Sequence, residues 1–223
     1  MIRRQFIASV IFALVFSVTS FAETQILKIA VKDLRPTQAN LGFKEVEKKA
    51  KKIAKKKASG ELEQYLRLET VPVVLGPGDK KYMIDGHHFL AAAYKQKIET
   101  VYYEVVDNYS NIVDPSAFWN KMIETKRVYL KDKGQVIEPK DLPNDITGLT
   151  DDLYRTFAAE VRDRGGYSKT DTPFMEFMWA DYFRTLIAAD FILADHEKAL
   201  KQGKELARDT RAAGLPGYKG PTQ

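Results

Sequence analysis

Between Phe174 and Phe183 nearly every side of a helix is apolar, through Phe174, Met175, Phe177, Met178, Trp179, Tyr182 and Phe183. A helix that is hydrophobic all round has to be buried, so the C-terminal part of the chain must wrap around this one. Burial makes the charges on the same helix informative, because a charge in a core must be paired or functional. Asp181 and Arg184 are three apart and can pair along the helix. Glu176 has no such helical partner and is expected to face a site, with Arg184 a further ligand-binding candidate. Thr172 as N-cap and Pro173 as the first helical residue predict the helix start, and the pattern predicts continuation past Ala194. The preceding amphipathic stretch, Thr150 to Arg164, turns Leu153, Tyr154, Phe157, Ala158 and Val161 inward and is stopped by Gly165-Gly166. Asp151-Asp152 with Arg155 reads as favourable charge at its N-terminus plus a local ion pair. Lys169 lies in the loop between the two helices, where substrate contacts are commonly made.

The N-terminal half alternates strand and helix signals. Ile26 to Val31 reads as a strand ended by Arg35-Pro36. Phe43 to Leu68 turns helical, with a break at Ser59-Gly60. Val71 to Leu75 and Lys81 to Ile84, joined by Gly76-Pro77-Gly78-Asp79, predict a hairpin. A helix through Phe89, Leu90, Ala93 and Tyr94 and a strand from Thr100 to Val106 follow. Pro115 to Thr125 predicts a helix, Arg127 to Ile137 a small hairpin about Lys131-Asp132-Lys133-Gly134, and Pro139 and Pro143 a linker. The fold class is therefore α+β: a mixed unit over residues 23–110, a mainly helical region over 111–213 packed on it, and an extended tail over 214–223.

Residues 1–22 carry the signs of a cleaved signal peptide. Arg3 and Arg4 precede an apolar run from Phe6 to Phe21, and Ser20 and Ala22 occupy the −3 and −1 positions of a cleavage site. That run is 16 residues long, short of the roughly 20 a membrane-spanning helix needs. The expected location is periplasmic or secreted, with no transmembrane segment after signal cleavage. There is no cysteine, which excludes thiolate catalysis and disulfides. The formal charge of +5 falls to +3 without Arg3 and Arg4, too little to imply nucleic acid by itself. The eight lysines between Lys44 and Lys57 read first as a solvated helix face, although such a cluster also draws polyanions.

The chemistry concentrates at Asp85-Gly86-His87-His88, between a strand and a helix. A glycine at such a corner lets the backbone turn closely, and the first helical N–H groups form an anion site. Asp85 adds a possible ligand for a divalent metal ion (Mg, Mn or Zn). His87 and His88, two of only three histidines, add groups that titrate near neutrality.

The stretches Val31 to Gln38, Val71 to Leu75 and Asp85 to His88, in this element order, resemble the ParB/sulfiredoxin fold. With Gly165-Gly166-Tyr167-Ser168-Lys169-Thr170-Asp171-Thr172-Pro173-Phe174, Glu176-Phe177 and Trp179-Ala180-Asp181, the mature chain resembles the exported ParB-like nuclease family of bacteria. DNA-partitioning proteins of this fold carry Gly-Glu-Arg-Arg at the corner, where the arginines hold nucleotide phosphates. Here histidines follow Gly86, and Phe89 stands where the second arginine would be, which weakens charge-assisted phosphate binding. Sulfiredoxins carry a nucleophilic cysteine that this chain lacks. Free-serine kinases of this fold carry an Asp-Gly-His-His-type corner followed by arginine, and a catalytic carboxylate in the region where this chain has Gln38. The resemblance implies a phosphorylated ligand, a small molecule or nucleic acid, at the corner near Gln38 and Gly86, and the loop and helix positions of Lys169 and Arg184 add them as ligand-binding candidates. It also implies metal-assisted phosphodiester hydrolysis, with Asp85 on the metal and His87 or His88 as base or transition-state stabiliser; Glu176 joins them as a catalytic candidate from its unpaired place on the buried helix. A non-catalytic module for nucleotide, anion or envelope protein is the alternative.

Overall fold

The computed structural model describes residues 25–221, so the predicted signal peptide, with its cleavage site after Ala22, lies outside the described residues. No described helix is long and apolar enough to cross a membrane. The α+β expectation is met. Strands β1 (Leu27–Ala30), β2 (Leu34–Pro36), β4 (Val71–Leu75), β5 (Lys81–Met83) and β6 (Thr100–Asn108) form one five-stranded sheet, in the order β1-β6-β4-β5-β2. The short β3 (Asn40–Leu41) lies outside it. The predicted hairpin is β4 with β5, paired Val73 to Met83 and Leu75 to Lys81. β6 runs parallel to β4, and its register slips between Val73 and Val74: Val105 lies opposite Val73 but Asp107 opposite Val74. Val106 is thus the extra residue of a bulge, a device that re-aims a side chain.

Helices α1 (Phe43–Ala58), α2 (Leu62–Leu68) and α3 (His87–Lys95) cover the sheet, and the break between the first two falls at Ser59-Gly60 as predicted. Val46, Ala50 and Ile53 of α1 are buried, while its lysines point outward. Most of those lysines have acidic neighbours: Lys44 with Glu160, Lys48 with Glu45, Lys49 and Lys52 with Glu69, Lys56 with Glu61.

The sequence suggested a division at residue 110, but the apolar contacts carry the first unit further. Helix α4 (Pro115–Glu124) packs Phe118 and Met122 against Val74 and Tyr82 of the sheet. After the two-stranded hairpin of β7 (Lys131–Asp132) and β8 (Gln135–Val136), Ile146 and Leu149 enter the N-terminal core. Strand β9 (Thr150–Asp151) then pairs in parallel with β3.

The helical half starts with α5 (Leu153–Asp163) and is built around α6 (Met175–Arg184), as the all-round apolar pattern required. Trp179 is fully buried and stacks on Tyr167, with ring centroids 4.1 Å apart. Met178 is the exception on this helix and is exposed. Two details depart from the sequence reading. The helix begins at Met175, because Phe174 takes a left-handed conformation (φ 60°). It also stops at Arg184 instead of running past Ala194. The Tyr154 hydroxyl donates to the Ile187 carbonyl at 2.7 Å and the Thr185 hydroxyl to the Tyr182 carbonyl at 2.8 Å. With Ile187 drawn into the core, α7 (Ala189–Ala194) and α8 (His196–Leu206) become separate helices.

The expected extended tail is instead folded back on this half. The Trp179 indole N–H donates to the Pro216 carbonyl and the Ser168 amide to the Gly217 carbonyl, each at 2.8 Å. Gly217 has φ +76°, and a Cβ there would lie 1.9 Å from the Ser168 carbonyl oxygen. Gly217→Ala should therefore detach this segment and cost about 1–3 kcal/mol. Urea unfolding measures that loss, and an unchanged midpoint would show that the tail contributes nothing.

Candidate functional site

Strand β5 ends at Met83, and the Ile84 amide makes one more bond, to the Pro72 carbonyl at 3.0 Å. The chain then turns through Gly86, which is left-handed (φ 80°, ψ 9°). Only the Val71 methyls lie near its missing Cβ, at 3.6 Å and beyond, so conformation and not space calls for glycine. The Asp85 carboxylate accepts from the Gly86 amide at 2.6 Å, and Asp85 itself is exposed. Helix α3 starts at His87 with no side-chain cap.

The two imidazoles are anchored alike. Nε2 of His87 accepts from the Thr37 amide and Nε2 of His88 from the Gly42 amide, each at 3.2 Å. An imidazole that accepts at Nε2 is neutral and carries its proton on Nδ1. Burial agrees with this, pushing His87 down to about 3. His88 also lies well below the usual range, through burial first and then the positive charge of Arg155. Both histidines therefore carry an N–H at Nδ1 and no proton at Nε2. Neither has the free lone pair of a general base or a zinc ligand.

The corner forms one wall of a cavity of about 580 Å³ between the sheet and the helical half. The fold brings together there residues far apart in the sequence: Gln38, Asp85, His87, His88, Lys169 and Glu176 all line it. The bulge residue Val106, with Pro72 and Ile84, supplies apolar wall, and Thr170 to Phe174 closes the far side. Gly86, expected as a ligand contact, is not among the lining residues; it makes the left-handed turn that precedes His87 and His88. Gln38 is buried and donates to the Asn40 carbonyl at 2.8 Å.

Three expectations change. Arg184 does not line this cavity. Its guanidinium donates to Asp152 at 2.8 Å, lies 3.8 Å from Asp181 and stacks on Tyr154, so it is a structural clamp. The expected local pair of Asp152 with Arg155 does not form, since Asp152 caps α5 by accepting from the Tyr154 amide at 2.9 Å and binds Arg184. Glu176 reaches the cavity but is held by Arg162, with Arg155 Nη2 at 3.6 Å. It braces the wall more than it faces a substrate.

Sequence reasoning missed Arg155, Lys126 and Arg127, which also line the cavity. Arg127 pairs with Asp107 at 2.6 Å. Arg155 is nine-tenths buried, with its guanidinium 5.2 Å from the Phe177 ring centre. A signal for it existed. Arg155 and Arg162 are seven apart, on one side of α5, and Glu176 was a buried acid in need of a cation. Among the described residues, no three His, Asp or Glu side chains are grouped to hold a metal ion.

Comparison with known proteins accords with this architecture. Residues 27–185 match the family model described as "Putative ParB-like nuclease". The crystal structure of protein Atu1540 from Agrobacterium tumefaciens is similar at 36% identity and TM-score 0.81, with 90% of this chain and 100% of that one covered. No protein of curated function matches. The α+β arrangement is the ParB/sulfiredoxin-like one, and the chain belongs to the ParB-like nuclease family.

Proposed function

We propose that the chain binds a phosphorylated small molecule in the cavity between the Asp85–His88 corner and the Lys169–Phe177 segment. The observation that carries this is the fixed donor state of the two imidazoles at the corner. Two imidazoles fixed as Nδ1–H donors and the first turn of α3 share one cavity with Lys169. Such a wall suits an acceptor-rich anion. A volume of about 580 Å³ is that of a small-molecule site. The paired lysines of α1 leave little net charge for a polynucleotide, which favours a small ligand over nucleic acid. The leader-like first 22 residues support a place outside the inner membrane for this binding.

A second reading, metal-assisted phosphodiester hydrolysis, is favoured by the exposed Asp85 carboxylate on the cavity wall. Mg2+ or Mn2+ would be held there by Asp85 with water and ligand oxygens, neutralising phosphate charge. Zinc fits poorly, since it would need the imidazole nitrogens that accept backbone N–H groups.

Thermal unfolding in the presence of millimolar pyrophosphate or a phosphate monoester tests the binding reading. The midpoint should rise with ligand concentration, and Lys169→Ala should weaken the apparent affinity about five- to tenfold. No rise with any phosphate probe would refute it. Turnover of a model phosphodiester with Mn2+, abolished in Asp85→Asn, would establish the second reading.

A further inference from the structure

The Arg155 guanidinium makes no hydrogen bond among the described residues. Nε and Nη1 are buried without a partner, and Nη2 lies 3.6 Å from Glu176 Oε2, beyond hydrogen-bond reach. Glu176 is already engaged by Arg162, which makes it a weak counter-ion for a second arginine. A positive charge that is nine-tenths buried and unbonded is costly to hold, and its apolar neighbour Phe177 offers only a ring face. The same group lines the cavity, as His88 does, and no carboxylate is hydrogen-bonded to it.

From this we infer that Arg155 is the anchoring residue for the anionic group of the ligand, a phosphoryl group seated between α5 and the start of α3. The inference rests on the reading of the cavity as a phosphate site and adds its main electrostatic contact. Phosphoryl is preferred to carboxylate because the donors around the cavity outnumber what two oxygens accept. The Arg155 guanidinium, the Lys169 ammonium, the His88 Nδ1–H and the α3 amides suit the three oxygens of a terminal phosphate. The contact would also tie the two halves of the molecule together through the ligand, since Arg155 belongs to the helical half and His88 to the sheet half.

Arg155→Met keeps the unbranched stem of the side chain and removes the charged end, while Glu176 retains Arg162. Its unliganded melting temperature should equal or exceed that of the wild type. Its affinity for pyrophosphate should fall about ten- to hundredfold, and Arg155→Lys should lie between. Pyrophosphate, inorganic phosphate and acetate are to be compared on each protein. If the wild type binds none of them, the phosphate reading of the cavity fails, and this inference with it. If the wild type binds pyrophosphate and Arg155→Met binds it equally well, the role of Arg155 is overturned while the cavity reading stands. Acetate binding as tight as pyrophosphate overturns the phosphoryl assignment. Should Arg155→Met fail to fold, wild-type crystals soaked in tungstate decide the matter. Tungstate within hydrogen-bond distance of the Arg155 guanidinium supports the inference. Tungstate elsewhere in the cavity, or only water on the guanidinium, overturns it.

Discussion

Replacing Asp152 by Ala is expected to destabilise the protein by about 3–5 kcal/mol, the usual cost of breaking a buried ion pair from one side. The Asp152 side chain is only 2% exposed and does two jobs at the start of α5. One oxygen caps the helix at the Tyr154 amide and the other holds Arg184 at 2.8 Å. Without it, Arg184 keeps only a carboxylate at 3.8 Å, and its Nε is already buried and unpartnered. Asp152→Asn keeps the cap and loses the charge, so it should cost less than Ala. Urea denaturation with an unchanged slope would measure the difference. A loss under about 1 kcal/mol would mean that the pair contributes no more than an exposed one. The backbone N–H of the same residue donates to the Leu41 carbonyl at 2.7 Å, so damage here should reach the sheet half as well.

The second large effect is a loss of stability in mild acid. His87 titrates near 6.5 when unfolded and is pushed down to about 3 in the fold by burial. Between those values the unfolded chain binds a proton that the folded chain refuses, so stability rises with pH. The contribution is complete above about pH 6.5, and it drains away as pH falls towards 3. Well inside that window the slope approaches about 1.4 kcal/mol per pH unit for one histidine. His88 is lowered in the same direction and adds to it. His87→Gln keeps an acceptor for the Thr37 amide but cannot titrate. Its unfolding free energy should change less between pH 6.5 and 5 than that of the wild type, a range above most carboxylate titration. Parallel curves for the two proteins would rule out this account.

What the sequence disclosed depends on the range of the forces involved. Elements decided locally were readable: the β4–β5 hairpin from its Gly-Pro-Gly turn, the α1–α2 break from Ser59-Gly60, the β7–β8 turn from Lys133-Gly134. The burial of α6 was readable because no exposed face could accommodate its aromatics. Its end at Arg184 was not, because no glycine or proline marks it; a hydroxyl from α5 binds the Ile187 carbonyl. Long-range pairing also decided the charges. Arg184 had a visible partner three residues away in Asp181 and took the more deeply buried Asp152 instead. Six residues of the cavity lining, Gln38, Asp85, His87, His88, Lys169 and Glu176, were named from sequence because a strand-to-helix corner and an unpaired acid are local signals. Arg155 was hidden because Asp151 and Asp152 offered it an easy local explanation. The imidazoles were expected to be free near neutrality, and only the fold shows that two loop amides occupy their acceptor nitrogens.

The pairing of β3 with β9, together with Ile146 and Leu149 in the first core, bears on the order in which the molecule is made. A chain emerging N-terminus first has all five strands of the main sheet once Asn108 is out. Its core nevertheless still lacks two side chains and the strand that covers Leu41. Those arrive about forty residues later, immediately before the first helix of the other half. The nascent sheet is therefore left incomplete while α4 and the small hairpin are synthesised, and closure depends on contacts of long sequence separation, the slow kind. The cavity is lined from both halves, so its wall is complete only once the segment from Lys169 to Phe177 has been added.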